Sequence, residues 1–188
     1  MLTNQNRQVQ TQPNDNLPEA ISQSNWIALA ERVACRSNCV RRSVGALLVR
    51  QGRIIAEGWN GVSEAYANCR VAGCPRCIGG GDTGSGYENC ICIHAEQRAI
   101  AEAARNGIVT DDSAIYVNLR PCLQCLAICK AAGVREVYYS GEEWAYPAEF
   151  EKIYHVLSDQ FTIFSRIESH DGLVVAWDPN TSPAGHGR

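Results

Sequence analysis

Two short clusters carry side chains suited to metal-assisted hydrolysis: His94-Ala95-Glu96 and Pro121-Cys122-Leu123-Gln124-Cys125. Each stands where an extended or loop segment gives way to a helical pattern. Helix N-termini leave backbone N–H groups free and carry partial positive charge. That favours thiolates, lowering the pKa of Cys122 and Cys125 towards the form that binds metal. One imidazole and two thiolates make three protein ligands. A fourth would close a zinc site, whereas three leave a corner for water, the catalytic arrangement. Zinc lowers the pKa of such a water to about 7. Glu96 lies two residues beyond His94. Mid-helix that offset puts the two on different faces, but in a first turn both can converge on a metal over the helix end. A carboxylate that does not bind the metal can take a proton from water and return it to a departing group. The competing reading is a structural zinc made by Cys122, Cys125 and other cysteines, with His94 and Glu96 as ordinary surface residues.

The remaining cysteines ask for a second explanation. Ten cysteines in 188 residues are many. The first sixteen residues are polar and Gln/Asn-rich, without the charged-then-apolar order of a secretory signal, so disulfides are the weaker reading. Cys74-Pro75-Arg76-Cys77 repeats the C-x-x-C spacing and Cys90-Ile91-Cys92 is a C-x-C. Paired spacing of this kind suits thiolate ligation of metal in a reducing compartment. The segment 61–89, rich in Gly, Cys, Asn and Ser, is too long for a plain connection and too poor in apolar residues to order itself. A closed zinc site is one physical solution, and a set of free buried thiols is the other. Cys35 and Cys129 fall on helical segments and read as core thiols. His155 reads as a helix residue, and His170 and His186 as loop residues. Trp144 and Tyr146 could stack on a base or simply pack.

These clusters need a scaffold, and the patterning outlines one. Residues 21–37 read as an amphipathic helix. Residues 44–49 and 53–56 are strands around a Gln51-Gly52 turn. Residues 94–105 are helical, with Gly107 as a stop. Strand 113–119, helix 123–132 and strand 134–139 follow, then helix 147–157 with Pro147 in its first turn. Residues 161–164 and 173–176 read as edge strands. A hairpin followed by alternating helices and strands implies a three-layer α/β/α domain with a mixed central sheet of about five strands. Residues 21–177 make up that domain, with a Cys-rich, zinc-ordered loop at 61–93. Tails are expected at 1–20 and 178–188. A net charge of −3 and a pI of about 5.8 argue against a nucleic-acid coat, and no apolar run is long enough to span a bilayer.

The two clusters together are the H-x-E and P-C-x-x-C signature of zinc deaminases. Here the chain resembles the cytidine deaminase superfamily and, within it, the deoxycytidylate (dCMP) deaminases. The likeness extends to Arg36-Ser37-Asn38-Cys39-Val40-Arg41-Arg42-Ser43-Val44-Gly45-Ala46, to Gly58-Trp59-Asn60-Gly61 and to Cys90-Ile91-Cys92-Ile93, so it covers roughly residues 21–140. It implies a cytidine-deaminase-like fold and a cytoplasmic enzyme that converts dCMP to dUMP and ammonia. It further implies His94, Cys122 and Cys125 as zinc ligands, Glu96 as proton shuttle and metal-activated water as nucleophile. Asn60 would contact the sugar and Arg41 the phosphate. A homo-oligomer, usually a hexamer, with dCTP and dTTP as effectors, also follows from it. A second, structural zinc would take Cys39, Cys69, Cys74 and Cys90, with Cys77 and Cys92 in reserve. Trp59 stands where the family often has Tyr, and Arg98 where Asn is common. The alternatives are a deaminase of another nucleoside, base or polynucleotide, and a catalytically silent zinc-binding regulatory module.

Overall fold

The computed structural model describes residues 21–63, 69, 71, 73–79, 87–141 and 146–168. The proposed tails, the strand at 173–176, Trp144, His170 and His186 lie outside them. Helix α1 spans Gln23–Ala34, a shorter piece than its apolar pattern suggested. Ser22 starts it by accepting a hydrogen bond from the Asn25 N–H (3.3 Å), an ordinary N-cap. Strands β1 (Gly45–Arg50) and β2 (Arg53–Trp59) form an antiparallel hairpin. Its turn holds Gln51 and Gly52 at φ 52° and 70°, the left-handed pair that a tight hairpin turn requires. A single helical turn, α2 (Pro75–Ile78), lies in the cysteine loop. Next come α3 (Ala95–Arg105), β3 (Ala114–Val117), α4 (Leu123–Ala131), β4 (Glu136–Tyr139), α5 (Ala148–Ser158) and β5 (Ile163–Arg166).

The five strands make one mixed sheet in the order β2-β1-β3-β4-β5. The hairpin side is antiparallel, and β3, β4 and β5 run parallel. This is the expected mixed five-stranded sheet, with β5 at the edge just past the predicted 161–164. Alternation along the strands sorts two cores. Leu47, Val49, Tyr116 and Tyr138 face α1, meeting Trp26, Ile27 and Ala30. Ala46, Leu48, Ile115, Val117 and Val137 face the other way, against Ala95, Ala99 and Ala103 of α3, Leu126 of α4 and Tyr154 of α5. The result is three layers, α/β/α.

Two strand glycines set how closely the outer layers approach. A Cβ at Gly45 would lie 2.1 Å from the Ala30 carbonyl oxygen of α1, and one at Gly58 would lie 2.0 Å from the Ala95 carbonyl oxygen of α3. Only a residue without a side chain lets backbone meet backbone there. Gly58 thereby presses the first turn of α3, between His94 and Glu96, onto the sheet.

Candidate active site

Helices α3 and α4 begin side by side. His94 is the N-cap of α3, and Cys122 is the N-cap of α4. Gln97 holds the entry to α3, its side-chain oxygen accepting from the His94 N–H (3.0 Å). His94 Nδ1 lies 3.5 Å from Cys122 Sγ and 3.3 Å from Cys125 Sγ. Tetrahedral zinc with its usual bond lengths separates a nitrogen and a sulfur ligand by about 3.5 Å. One imidazole and two thiols at that spacing therefore fit the ion.

The electrostatics suit the same purpose. A hydrogen bond from Cys125, reinforced by the His94 imidazole, outweighs burial and holds the Cys122 thiol down at about 4. Its partner Cys125 is pushed the other way by that hydrogen bond and by burial. The hydrogen bond to Cys122 raises His94 against the opposing effect of burial. Glu96, only 4% exposed, is raised to about 7 by burial, with the Cys122 charge adding to it. A carboxyl poised near neutrality beside three side chains spaced to hold a metal can both accept and donate a proton.

A cavity of about 260 Å³ opens onto His94, Glu96 and Cys122. Four arginines line it: Arg41, Arg42, Arg76 and Arg120. Arg41 was expected from the sequence. Arg76 and Arg120 were missed, although Arg76 stands inside a C-x-x-C. Asn60 also lines the cavity, but its amide is largely engaged. Its Oδ1 accepts from the Val44 N–H (2.8 Å) and its Nδ2 donates to the Arg42 carbonyl (2.9 Å). It pins the segment that brings Arg41 and Arg42 to the rim.

An ion pair with its arginine buried and its carboxylate partly exposed supports the second cluster. Arg120, 8% exposed, bonds Glu151 of α5, and its guanidinium lies 3.8 Å over the Tyr154 ring. The Tyr154 hydroxyl donates to the Pro121 carbonyl (3.1 Å). Tyr146 packs on Tyr154 and Phe150, and its hydroxyl accepts from the Leu123 N–H (2.9 Å). Among the options for Tyr146, packing is the one observed.

The other cysteines divide. Cys69, Cys74 and Cys77 have thiols within 4.8 Å of one another, and so do Cys74, Cys90 and Cys92. Cys39 lines the cavity beside Cys90 and Cys92. Cys129 is buried as expected, but Cys35 is exposed. Residue 35 falls just past the last turn of α1, where the chain leaves the core, so its reading as a core thiol is corrected. His155 is exposed.

A three-layer domain that sets a histidine, two cysteines and a buried glutamate at paired helix N-termini has the framework of the zinc-dependent base deaminases. The chain belongs to the family described as the cytidine and deoxycytidylate deaminase zinc-binding region, whose model matches residues 21–141. It is 40% identical over 116 residues to the deoxycytidylate deaminase of Schizosaccharomyces pombe. It is 41% identical over 117 residues to that of Saccharomyces cerevisiae. Each match takes in 62% of this chain and 36% of the relative, so the chain spans about a third of their length. A crystal structure of dCMP deaminase from the cyanophage S-TIM5, in complex with dCMP and dUMP, superposes with a TM-score of 0.59 at 30% identity. That match covers 76% of this chain and 93% of the phage protein. Among the described residues no helix is long and apolar enough to cross a membrane.

Proposed function

We propose that this chain hydrolyses dCMP to dUMP and ammonia, with His94, Cys122 and Cys125 holding the catalytic zinc. The observation that carries the reading is the buried Glu96 carboxyl beside that triad. Zinc bound there supplies the Lewis acidity that makes water a nucleophile near neutral pH. The protein's residues do the rest. Glu96 takes a proton from the attacking water and delivers it to the ring nitrogen. It then passes the second proton to the amine, which leaves as ammonia. Arg41, Arg42 and Arg76 supply the positive wall for a monophosphate, while Arg120 is committed to Glu151 and Tyr154. Asn60 keeps one N–H and one acceptor position beyond its backbone bonds, enough for a sugar hydroxyl.

Structural zinc in the 61–93 loop belongs to the same reading, ordering the wall that carries Arg76. A homo-oligomer is supported by the exposed apolar stripe Phe150, Ile153 and Val156 on α5. Hexamer formation, dCTP and dTTP as effectors, and a cytoplasmic setting rest on the family likeness. The test is ammonia release from dCMP, cytidine and cytosine side by side, together with Glu96→Ala. The reading expects release from dCMP above the other two. It also expects Glu96→Ala to retain zinc at the triad while losing turnover by several orders of magnitude. Turnover that survives Glu96→Ala would remove the proton shuttle.

A further inference from the structure

Beside the His94, Cys122 and Cys125 cluster, and sharing its cavity wall through Cys39, Cys90 and Cys92, lies a nest of six thiols. Cys69 and Cys74 are buried with Val62, and Cys77, Cys90 and Cys92 pack against them. Cys39 lines the same cavity as Cys90 and Cys92. None of the six is in a disulfide. Even the Cys74 and Cys77 sulfurs stand 3.2 Å apart, well beyond the 2.05 Å or so of an S–S bond. Sulfurs bound to one tetrahedral zinc lie about 3.8 Å from each other, and two separate triads meet that condition within 4.8 Å.

The two triads share one member, Cys74. A single ion takes four thiolates at most, so any choice of four leaves two of these thiols idle against charged neighbours. The quartet Cys39, Cys69, Cys74 and Cys90 leaves out Cys77 and Cys92, the residues that complete the two triads. Burying idle thiols there gains little, because among the described residues Val62 is the sole buried aliphatic member of this cluster. Two tetrahedral ions offer eight ligand positions, and six thiolates fill eight when two of them bridge. Cys74 bridges by its place in both triads. Cys90, in side-chain contact with Cys74, is the second.

We propose that the six cysteines hold a pair of zinc ions joined through the Cys74 and Cys90 thiolates, giving three zinc ions per chain with the catalytic one. One ion takes Cys69, Cys74, Cys77 and Cys90; the other takes Cys74, Cys90, Cys92 and Cys39. The inference rests on reading the loop as metal-ordered, yet it is separable from the deaminase activity. The metal count can fail while dCMP is still turned over, and the reverse.

The experiment is elemental analysis of the purified full chain, followed by cobalt substitution read by electron paramagnetic resonance. Three zinc ions per chain are expected. Cobalt added to the metal-free protein should give a signal that falls as the second ion of the pair enters, because a shared thiolate couples the two spins. Cys74→Ser should lose two ions and keep the one held with His94. Two zinc ions in the wild-type chain would overturn the proposal, as would a cobalt signal that rises in proportion up to three equivalents. Both wild-type measurements decide the matter even where Cys74→Ser fails to fold.

Discussion

Replacing Gly58 with alanine probes how the sheet positions the catalytic helix. The new Cβ would sit 2.0 Å from the Ala95 carbonyl oxygen and 2.5 Å from the Ala99 nitrogen, where ordinary contact begins at 3.4 Å. Both obstacles are backbone atoms, so no rotamer change relieves them. Helix α3 must retreat by about 1.4 Å, an overpacking worth about 1–3 kcal/mol. For a domain of this size that lowers Tm by roughly 2–12 °C. Ala95 lies between His94 and Glu96, so the retreat moves both away from Cys122 and Cys125. A misplacement of about 1 Å in such a constellation costs on the order of a hundredfold in kcat. Gly45→Ala supplies the control. Its Cβ meets α1 just as closely, 2.1 Å from the Ala30 carbonyl oxygen, but α1 carries none of the site. Calorimetry and steady-state ammonia release on both variants should show similar losses of Tm but a large kcat loss only in Gly58→Ala. Equal kcat for the two variants would refute the claim that this contact sets the catalytic geometry.

Two further outcomes follow from buried charges. Glu96 is raised from its ordinary value of 4.5 to about 7 by burial. Its contribution to stability is therefore complete below pH 4.5 and is lost as pH rises through 7. In the metal-free protein, Glu96→Gln should gain on wild type across that window by up to about 3 kcal/mol. Melting curves of the chelated proteins at pH 5 and pH 8 check it, and a constant difference would contradict it. Arg120→Met removes the partner of Glu151 and the cation over Tyr154. Allowing for the partly exposed carboxylate, we expect a loss of about 2 kcal/mol at neutral pH in urea unfolding. Because Arg120 holds the Glu151 carboxyl below its usual range, that loss should shrink as pH falls from the ordinary glutamate value down through the lowered one.

Much of the architecture was legible because the strands stand out as short apolar runs bounded by turns. Residues 46–49 are apolar throughout, Leu47 and Val49 facing one layer and Ala46 and Leu48 the other, as a strand buried on both faces must be. The active-site cluster was legible for a different reason: His94 and Cys122 fall where helical patterns begin, so chain order alone brings both to helix ends. What stayed hidden depends on partners far apart in the chain. Nothing in the sequence marks what Gly45 and Gly58 do, and only the packed helices reveal why no side chain fits. Arg120 and Glu151 are 31 residues apart, with no local pattern to link them. The amide of Asn60 lines the cavity but is also tied to backbone groups on β1's approach, a second task that no local pattern announces. Two departures from the family pattern turn out to touch: Arg98 donates to the Trp59 carbonyl (2.7 Å), and its guanidinium lies 4.8 Å over the Trp59 ring. Neither substitution makes sense alone, and together they tie α3 to the end of β2.

The start of α4 carries one last implication. Cys122 occupies a position where serine or aspartate would clasp the first turn, and its own side chain makes no such bond. The hydroxyl of Tyr146 reaches across to take up the Leu123 N–H instead. A search for more robust variants by optimising each helix end would therefore favour replacing the very thiol that the proposed zinc site needs. Fitness and ruggedness pull in opposite directions at this one residue, and a distant phenol settles the compromise.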